Sequence, residues 1–230
     1  MNFDDWEPVY EAILADFGFD RGADERARDL LATITESFSL DRFSHVDGAT
    51  VAIAGAAPSL VDDLHLVRRA DVVFAASTAA DVLLDAGFDV ELMVTDLDKN
   101  PDTVRTLTNR GVPVAVHAHG DNVPALRAYV PTFDRSLVLA TTQARPRGPV
   151  VNFGGFTDGD RTAFIADHLG AGRLVFPGWA FDDPTVDAEK RRKLVWAERL
   201  LHWLERRRSE RFSILDGRRN AIDTAALPID

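Results

Sequence analysis

Apolar residues recur at helical spacing through the first part of the chain, at Trp6, Val9, Tyr10, Ile13, Leu14 and Phe17, and again at Leu30, Leu31, Ile34 and Phe38. A three-to-four-residue repeat puts such positions on one helix face, so residues 1–44 are predicted to hold two helices parted near Gly18 to Gly22. From Thr50 the texture changes to short, almost continuously apolar, β-branched runs at 50–54, 72–75, 91–94, 113–116, 137–140 and 174–176. Runs this apolar suit strands covered on both faces, and single amphipathic segments separate them at 59–69, 79–86, 101–110, 122–130 and 158–169. Alternation of this kind predicts a largely parallel sheet. A last helix is predicted over 187–208, with Leu194, Leu200, Leu201 and Leu204 inward and an arginine-rich end that complements its dipole.

The pattern therefore specifies an α/β fold: a three-layer, largely parallel Rossmann-like sheet with helices on both faces and an N-terminal helical segment. Residues 1–44 read as a helical extension, 45–210 as the α/β catalytic domain, and 211–230 as a weakly periodic tail expected to be partly disordered. A chain of 230 residues supplies one well-buried core.

Charge narrows the partners. Lys and Arg total 26 against 37 for Asp and Glu, a net charge of −11, so nucleic acid and anionic membrane are repelled at long range. Asp outnumbers Glu 28 to 9 and Arg outnumbers Lys 23 to 3, a bias that fits a halophilic protein kept hydrated by dense carboxylates. Most aspartates are then surface solvation, and only a special setting marks one as functional. No cysteine is present, which excludes disulfides and thiolate chemistry. The first residues lack a basic start and an apolar core, and no run approaches the ~18 apolar residues of a membrane span. A cytoplasmic location is expected.

Ligands of an open parallel sheet bind at the C-terminal strand ends. Unusual residues gather there after four runs. Gly55 to Leu60 is a small-residue turn, with Gly55, Pro58 and Ser59 suited to cradling phosphate or simply to turning the chain. It matches neither G-x-x-x-x-G-K-[ST] nor G-x-G-x-x-G. Thr95-Asp96-Leu97-Asp98 ends the third run, and carboxylates at i and i+2 can converge on a hard cation such as Mg²⁺ whose shell phosphate and water complete. His117-Ala118-His119-Gly120-Asp121-Asn122 ends the fourth; there the histidines suit phosphate and Asp121 suits metal or water. Gln143 ends the fifth. Asn152-Phe153-Gly154-Gly155-Phe156-Thr157-Asp158-Gly159-Asp160-Arg161 opens the next helix, offering Phe153 and Phe156 to a flat ring, Arg161 to phosphate, and Asp158 and Asp160 to metal or as helix-capping acids. Lys190 and Lys193 are two of only three lysines and suit phosphate or plain solubility.

These strings resemble the archaeal-type 6-hydroxymethyl-7,8-dihydropterin pyrophosphokinases, relatives in fold of thiamin pyrophosphokinases, over about residues 50–204. The resemblance implies Mg²⁺-dependent transfer of diphosphate from ATP to a reduced pterin, with AMP released, in tetrahydromethanopterin or folate-type biosynthesis. The catalytic residues under this reading are Asp96, Asp98, His117, His119 and Asp121. Metal ligands come from Asp96, Asp98, Asp121, Asp158 and Asp160; substrate contacts come from Gly55, Pro58, Ser59, Asn122, Gln143, Asn152, Phe153, Phe156, Arg161, Lys190 and Lys193. The sequence departs from the family pattern at Pro177-Gly178-Trp179-Ala180-Phe181-Asp182, where a Gly-Met-Asp-Phe type string is more usual. Two other classes share the Asp-x-Asp signal: a nucleotide-sugar-dependent glycosyltransferase and a non-catalytic nucleotide-binding module. Small-molecule substrates are the expected partners, and residues 1–44 are a candidate homodimer surface or a cap on the sheet.

Overall fold

A computed structural model describes residues 1–120 and 122–229, leaving the candidate Asp121 outside the described residues. Six strands form one sheet: β1 (Thr50–Ala54), β2 (Val72–Ala76), β3 (Leu92–Thr95), β4 (Val114–Ala118), β5 (Val138–Thr142) and β6 (Arg173–Val175). Every pairing is parallel, in the order β5-β4-β3-β2-β1-β6. The helices are α1 (Phe3–Phe17), α2 (Arg21–Ile34), α3 (Leu64–Val67), α4 (Ala79–Asp85), α5 (Pro101–Asn109), α6 (Val123–Tyr129), α7 (Asp158–His168) and α8 (Ala188–Arg208).

The strands are buried on both faces, and their two-residue period splits them between two cores. Val51, Ile53, Phe74, Leu92 and Val94 face the layer of α1, α7 and α8. Ala52, Ala54, Ala75, Met93, Val114 and Val116 face the opposite layer. Because β1 to β5 advance in one direction, right-handed crossovers put α3 to α6 on one side. The return from β5 to β6 reverses direction and lays α7 across β1, β2 and β3 on the other. The three-layer α/β fold expected from the pattern is the fold observed.

Residues 1–34 take part in both layers. Trp6 is fully buried between Phe164 and Trp203, its ring centroid 6.4 Å from each, and its Nε1 donates to the Gln143 carbonyl at 2.8 Å. Helix α2 instead packs on β4, β5 and α6. The N-terminal pair thus clasps the sheet at its β5 end and reaches the strand termini where ligands bind.

Two local expectations are corrected. The 59–69 helix is a 3₁₀ turn over Pro58–Val61 followed by the single-turn α3, with Asp63 accepting from the Gly178 amide at 3.0 Å. The stretch after Arg211 is packed, not loose: Phe212 and Leu215 are fully buried, and the Glu205 carboxylate accepts from Phe212 N and from Arg219. Its anchors follow no period, so the hydrophobic pattern does not show them. Among the described residues no helix is long and apolar enough to cross a membrane.

If α1 is part of the core, Trp6→Ala should lower unfolding free energy by about 3–5 kcal/mol, read from urea denaturation. A loss below about 1 kcal/mol contradicts that placement.

Candidate active site

A cleft of about 530 Å³ opens at the C-terminal ends of β3, β4 and β5. Its acidic floor begins at Leu97, whose φ of 68° is left-handed, a conformation rare for a branched side chain. Leu97 is held there by burial and by its amide donating to Thr95 Oγ1 at 3.0 Å. This reversal points Asp96 and Asp98 the same way, and Asp98 N donates to Asp96 Oδ1 at 3.1 Å. His119 Nε2 lies 3.4 Å from Asp96 Oδ2, and Lys99 Nζ 3.8 Å from Asp98 Oδ2.

From the other layer the first turn of α7 adds Asp158 and Arg161. Burial, then the charges of Asp96 and Asp98, push the Asp158 carboxyl up to about 7 against the pull of Arg161, whose Nη1 is 3.4 Å away. Burial and the neighbouring Asp96 raise Asp98 as well. Burial also acts to raise Asp96, but contacts with His119 and Asp98 outweigh it and hold this carboxyl well below the usual range. Burial first, and then the neighbouring acids, thus disfavour the ionised forms of Asp98 and Asp158. Among the described residues no group of three or more His, Asp or Glu side chains is placed to hold a metal ion. An open set of carboxylates suits Mg²⁺, which keeps waters and takes substrate phosphates as ligands.

Arg161 is 3% exposed and fully oriented. Its Nη2 donates to the Phe156 carbonyl and to His117 Nε2, each at 2.9 Å. Burial, then the Arg161 charge, depress His117 well below its ordinary value, so it stays neutral. With Nε2 accepting, Nδ1 carries the proton toward Thr141 Oγ1 at 3.2 Å, and Thr141 donates to the Val116 carbonyl. His117 thus positions Arg161, both ring nitrogens being occupied. The cleft thus combines carboxylates with three cations, Lys99, Lys190 and Lys193, on its lining. Lys193 pairs with Glu189 at 2.7 Å, while Lys190 makes no ion pair among the described residues.

A model of the family described as 6-hydroxymethylpterin diphosphokinase MptE-like matches residues 26–185. The chain is 40% identical to the 6-hydroxymethyl-7,8-dihydropterin pyrophosphokinase of Methanothermobacter thermautotrophicus over 87% of this chain and 94% of that protein. Its identity to the protein of the same name from Pyrococcus furiosus is 34%, covering 89% and 95%, and to that from Methanocaldococcus jannaschii 29%, covering 89% and 96%. The chain belongs to the MptE-like diphosphokinase family. It is an enzyme of the diphosphokinase class, and the resemblance read from its motifs is to the right family.

Of the residues singled out in this MptE-like sequence, Asp96, Asp98, His117, His119, Gln143, Phe156, Asp158, Arg161, Lys190 and Lys193 line the cleft. Others support it from behind. Asn122 donates to the carbonyls of Asp96 and His117 at 2.9 and 2.6 Å, tying the two strand ends together. Asn152 does the same for the Gln143 and Ala144 carbonyls at 2.8 and 2.9 Å. Asp160, assigned above to metal, is fully buried and spends both oxygens capping α7 through Phe156 N, Thr157 N and Thr157 Oγ1. Phe153, assigned to a ring, is buried against His168 with centroids 4.3 Å apart. A core position and a capping box explain both residues without a ligand.

Gly55, Pro58 and Ser59 lie away from the cleft. The Gly55 and Ala57 amides donate to the carbonyls of Pro177 and Gly178, at 2.9 and 3.0 Å, and Trp179 Nε1 donates to the Ile53 carbonyl at 2.8 Å. A Cβ on Gly55 would stand 2.5 Å from the Gly178 oxygen. The string that departs from the family pattern fills the β1 turn and takes up the Gly55 and Ala57 amides.

The cleft also contains residues that the sequence did not single out: Phe19 and Asp20 from the α1–α2 connection, and Ala23 and Asp24 from the first turn of α2. Asp24 is 3% exposed. In an acid-rich chain an Asp in a helix's first turn looks like dipole decoration, so only the fold reveals it.

The raised Asp158 carries a pH signature. Its folded value lies above the unfolded one, so the metal-free fold loses stability as pH rises from about 4 to 7 and the cost is complete above 7. Without divalent ions, the stability of Asp158→Asn relative to the parent should grow by about 1–2 kcal/mol between pH 5 and pH 8. Thermal melts at the two pH values measure this, and a constant difference contradicts it.

Proposed function

We propose that the chain transfers the diphosphate group of ATP, with Mg²⁺, to the hydroxymethyl oxygen of 6-hydroxymethyl-7,8-dihydropterin, releasing AMP, in tetrahydromethanopterin or folate-type biosynthesis. The acceptor follows from the relatives, which are 6-hydroxymethyl-7,8-dihydropterin pyrophosphokinases; the metal and nucleotide rest on the cleft. The observation that carries the reading is the placing of Asp96, Asp98 and Asp158 on one cleft, where burial and then the charges of Asp96 and Asp98 raise Asp158 to about 7.

In this reaction the alcohol oxygen forms a bond to the β-phosphorus, and the bond from that phosphorus to the α–β bridging oxygen breaks. AMP leaves with the electron pair, and the alcohol proton passes to a carboxylate of the cluster or to water. Such displacement needs alignment and charge neutralisation more than covalent help. Asp96 and Asp98 would hold Mg²⁺, with Asp158 third, and the bound ion would supply neutralisation of the triphosphate. Lys190, which faces Asp98 closely enough to act on its charge, and Lys99 would meet phosphate oxygens. Arg161, clamped by His117, would present a fixed positive charge behind them.

Incubation with ATP, Mg²⁺ and the reduced pterin should release AMP in step with pterin diphosphate. Asp96→Asn and Asp98→Asn should each cut that rate by at least about 100-fold without lowering the melting temperature, since each removes a charged ligand from an open site. Near-parental turnover in both variants refutes the metal assignment. Release of sugar from a nucleotide sugar, with no AMP from ATP, replaces the reading by a glycosyltransferase.

A further inference from the structure

Asp24 is a buried carboxylate without a cationic partner among the described residues. Its Oδ2 accepts from Tyr10 Oη and Gln143 Nε2, both at 2.7 Å, and its Oδ1 from Gly120 N at 2.8 Å. An ionised carboxylate offers about four acceptor directions, and three are taken. Gln143 commits its NH₂ to Asp24, while its Oε1 has no partner among the described residues, and both side chains line the cleft. That wall of the cleft is therefore an acceptor pair. Beside it stand two rings: Phe156, and Phe19, which at 38% is one of few large apolar side chains left exposed. Phe17 joins them, 5.1 Å from Phe19 and 5.2 Å from Phe156 between centroids.

Two adjacent acceptors in a cleft that also presents aromatic rings select a flat heterocycle with two adjacent donors. The 2-amino and N3–H groups of a pterin form such an edge. Adenine sets its amino donor next to the N1 acceptor, which a carboxylate repels. We propose that Asp24 and Gln143 read the 2-amino-4-oxo edge of the pterin, with Phe19 and Phe156 flanking the ring, so that the α1–α2 connection determines acceptor specificity. This rests on the pterin acceptor proposed above. It leaves the carboxylate cluster for the triphosphate and the neighbouring slot for the ring.

The test is a specificity ratio. Reduced 6-hydroxymethylpterin and its 2-oxo counterpart are compared as acceptors, and the oxidised pair is compared for binding through their own fluorescence. The parent should prefer the 2-amino compound by at least about 10-fold in kcat/KM and in Kd. Asp24→Asn, which exchanges one acceptor for a donor, should shrink that ratio about 10-fold or more, and Phe19→Ala should raise KM for the pterin several-fold with KM for ATP unchanged. A purely structural Asp24 would weaken both pteridines equally; an unchanged ratio overturns the proposal. If Asp24→Asn fails to fold, an unchanged pterin KM in Phe19→Ala overturns it. Absence of AMP release by the parent would refute the catalytic reading alone, because the binding ratio is measured without turnover.

Discussion

The turn that brings Asp96 and Asp98 to one side of a strand end, with the buried Asp158 near enough to feel their charge, is the constraint around which the rest of the site is arranged. Leu97 makes this possible: buried in a left-handed conformation, it turns Asp96 and Asp98 to the same side of a strand end. A backbone of that kind carries a cost of order 1–3 kcal/mol and persists only where the surroundings over-determine it. Here the surroundings are the Thr95 hydroxyl, the Asp96 carboxylate and the Asn122 amide, which together fix the peptide groups from 96 to 98. The third acid comes from the opposite helical layer, on α7, so its approach depends on the reversal of chain direction between β5 and β6.

The countercharges are unequal in kind. Arg161 is sealed, donating to backbone carbonyls and to a histidine that burial keeps neutral, and so behaves as part of the scaffold. Lys99 and Lys190 sit on flexible stems at the rim, where a cation that must follow a moving phosphate belongs. Burial and mutual repulsion nonetheless disfavour the ionised forms of Asp98 and Asp158 in the free protein. A divalent cation would relieve that repulsion, and a further anion alone would add to it.

The sheet, its parallel sense and four of the five helical connections between its strands were legible in the hydrophobic period because both strand faces are buried. The Asp96 and Asp98 pair was legible because an acid at the end of an apolar strand is an ill-favoured place without a ligand. Asp160 and Phe153 misled because capping and core roles use the same residue types as metal and ring binding, and only the capping contacts and the packed His168 separate them. Asp24 and Phe19 were invisible for the opposite reason. They lie some seventy positions from Asp96 in sequence, in a segment whose periodicity speaks only of two helices, and reach the cleft because α1 and α2 divide between the two layers. The Gly55 turn shows the same limit, since its occupation by Trp179 is a tertiary fact.

The most direct measurement of the central claim is calorimetric titration of the protein with a non-hydrolysable ATP analogue, with and without Mg²⁺. The repulsion among these acids predicts that tight binding requires the ion, and that the free analogue binds at least about 100-fold more weakly because its charge adds to that of Asp96, Asp98 and Asp158. Equal affinity in the presence of a chelator would contradict it.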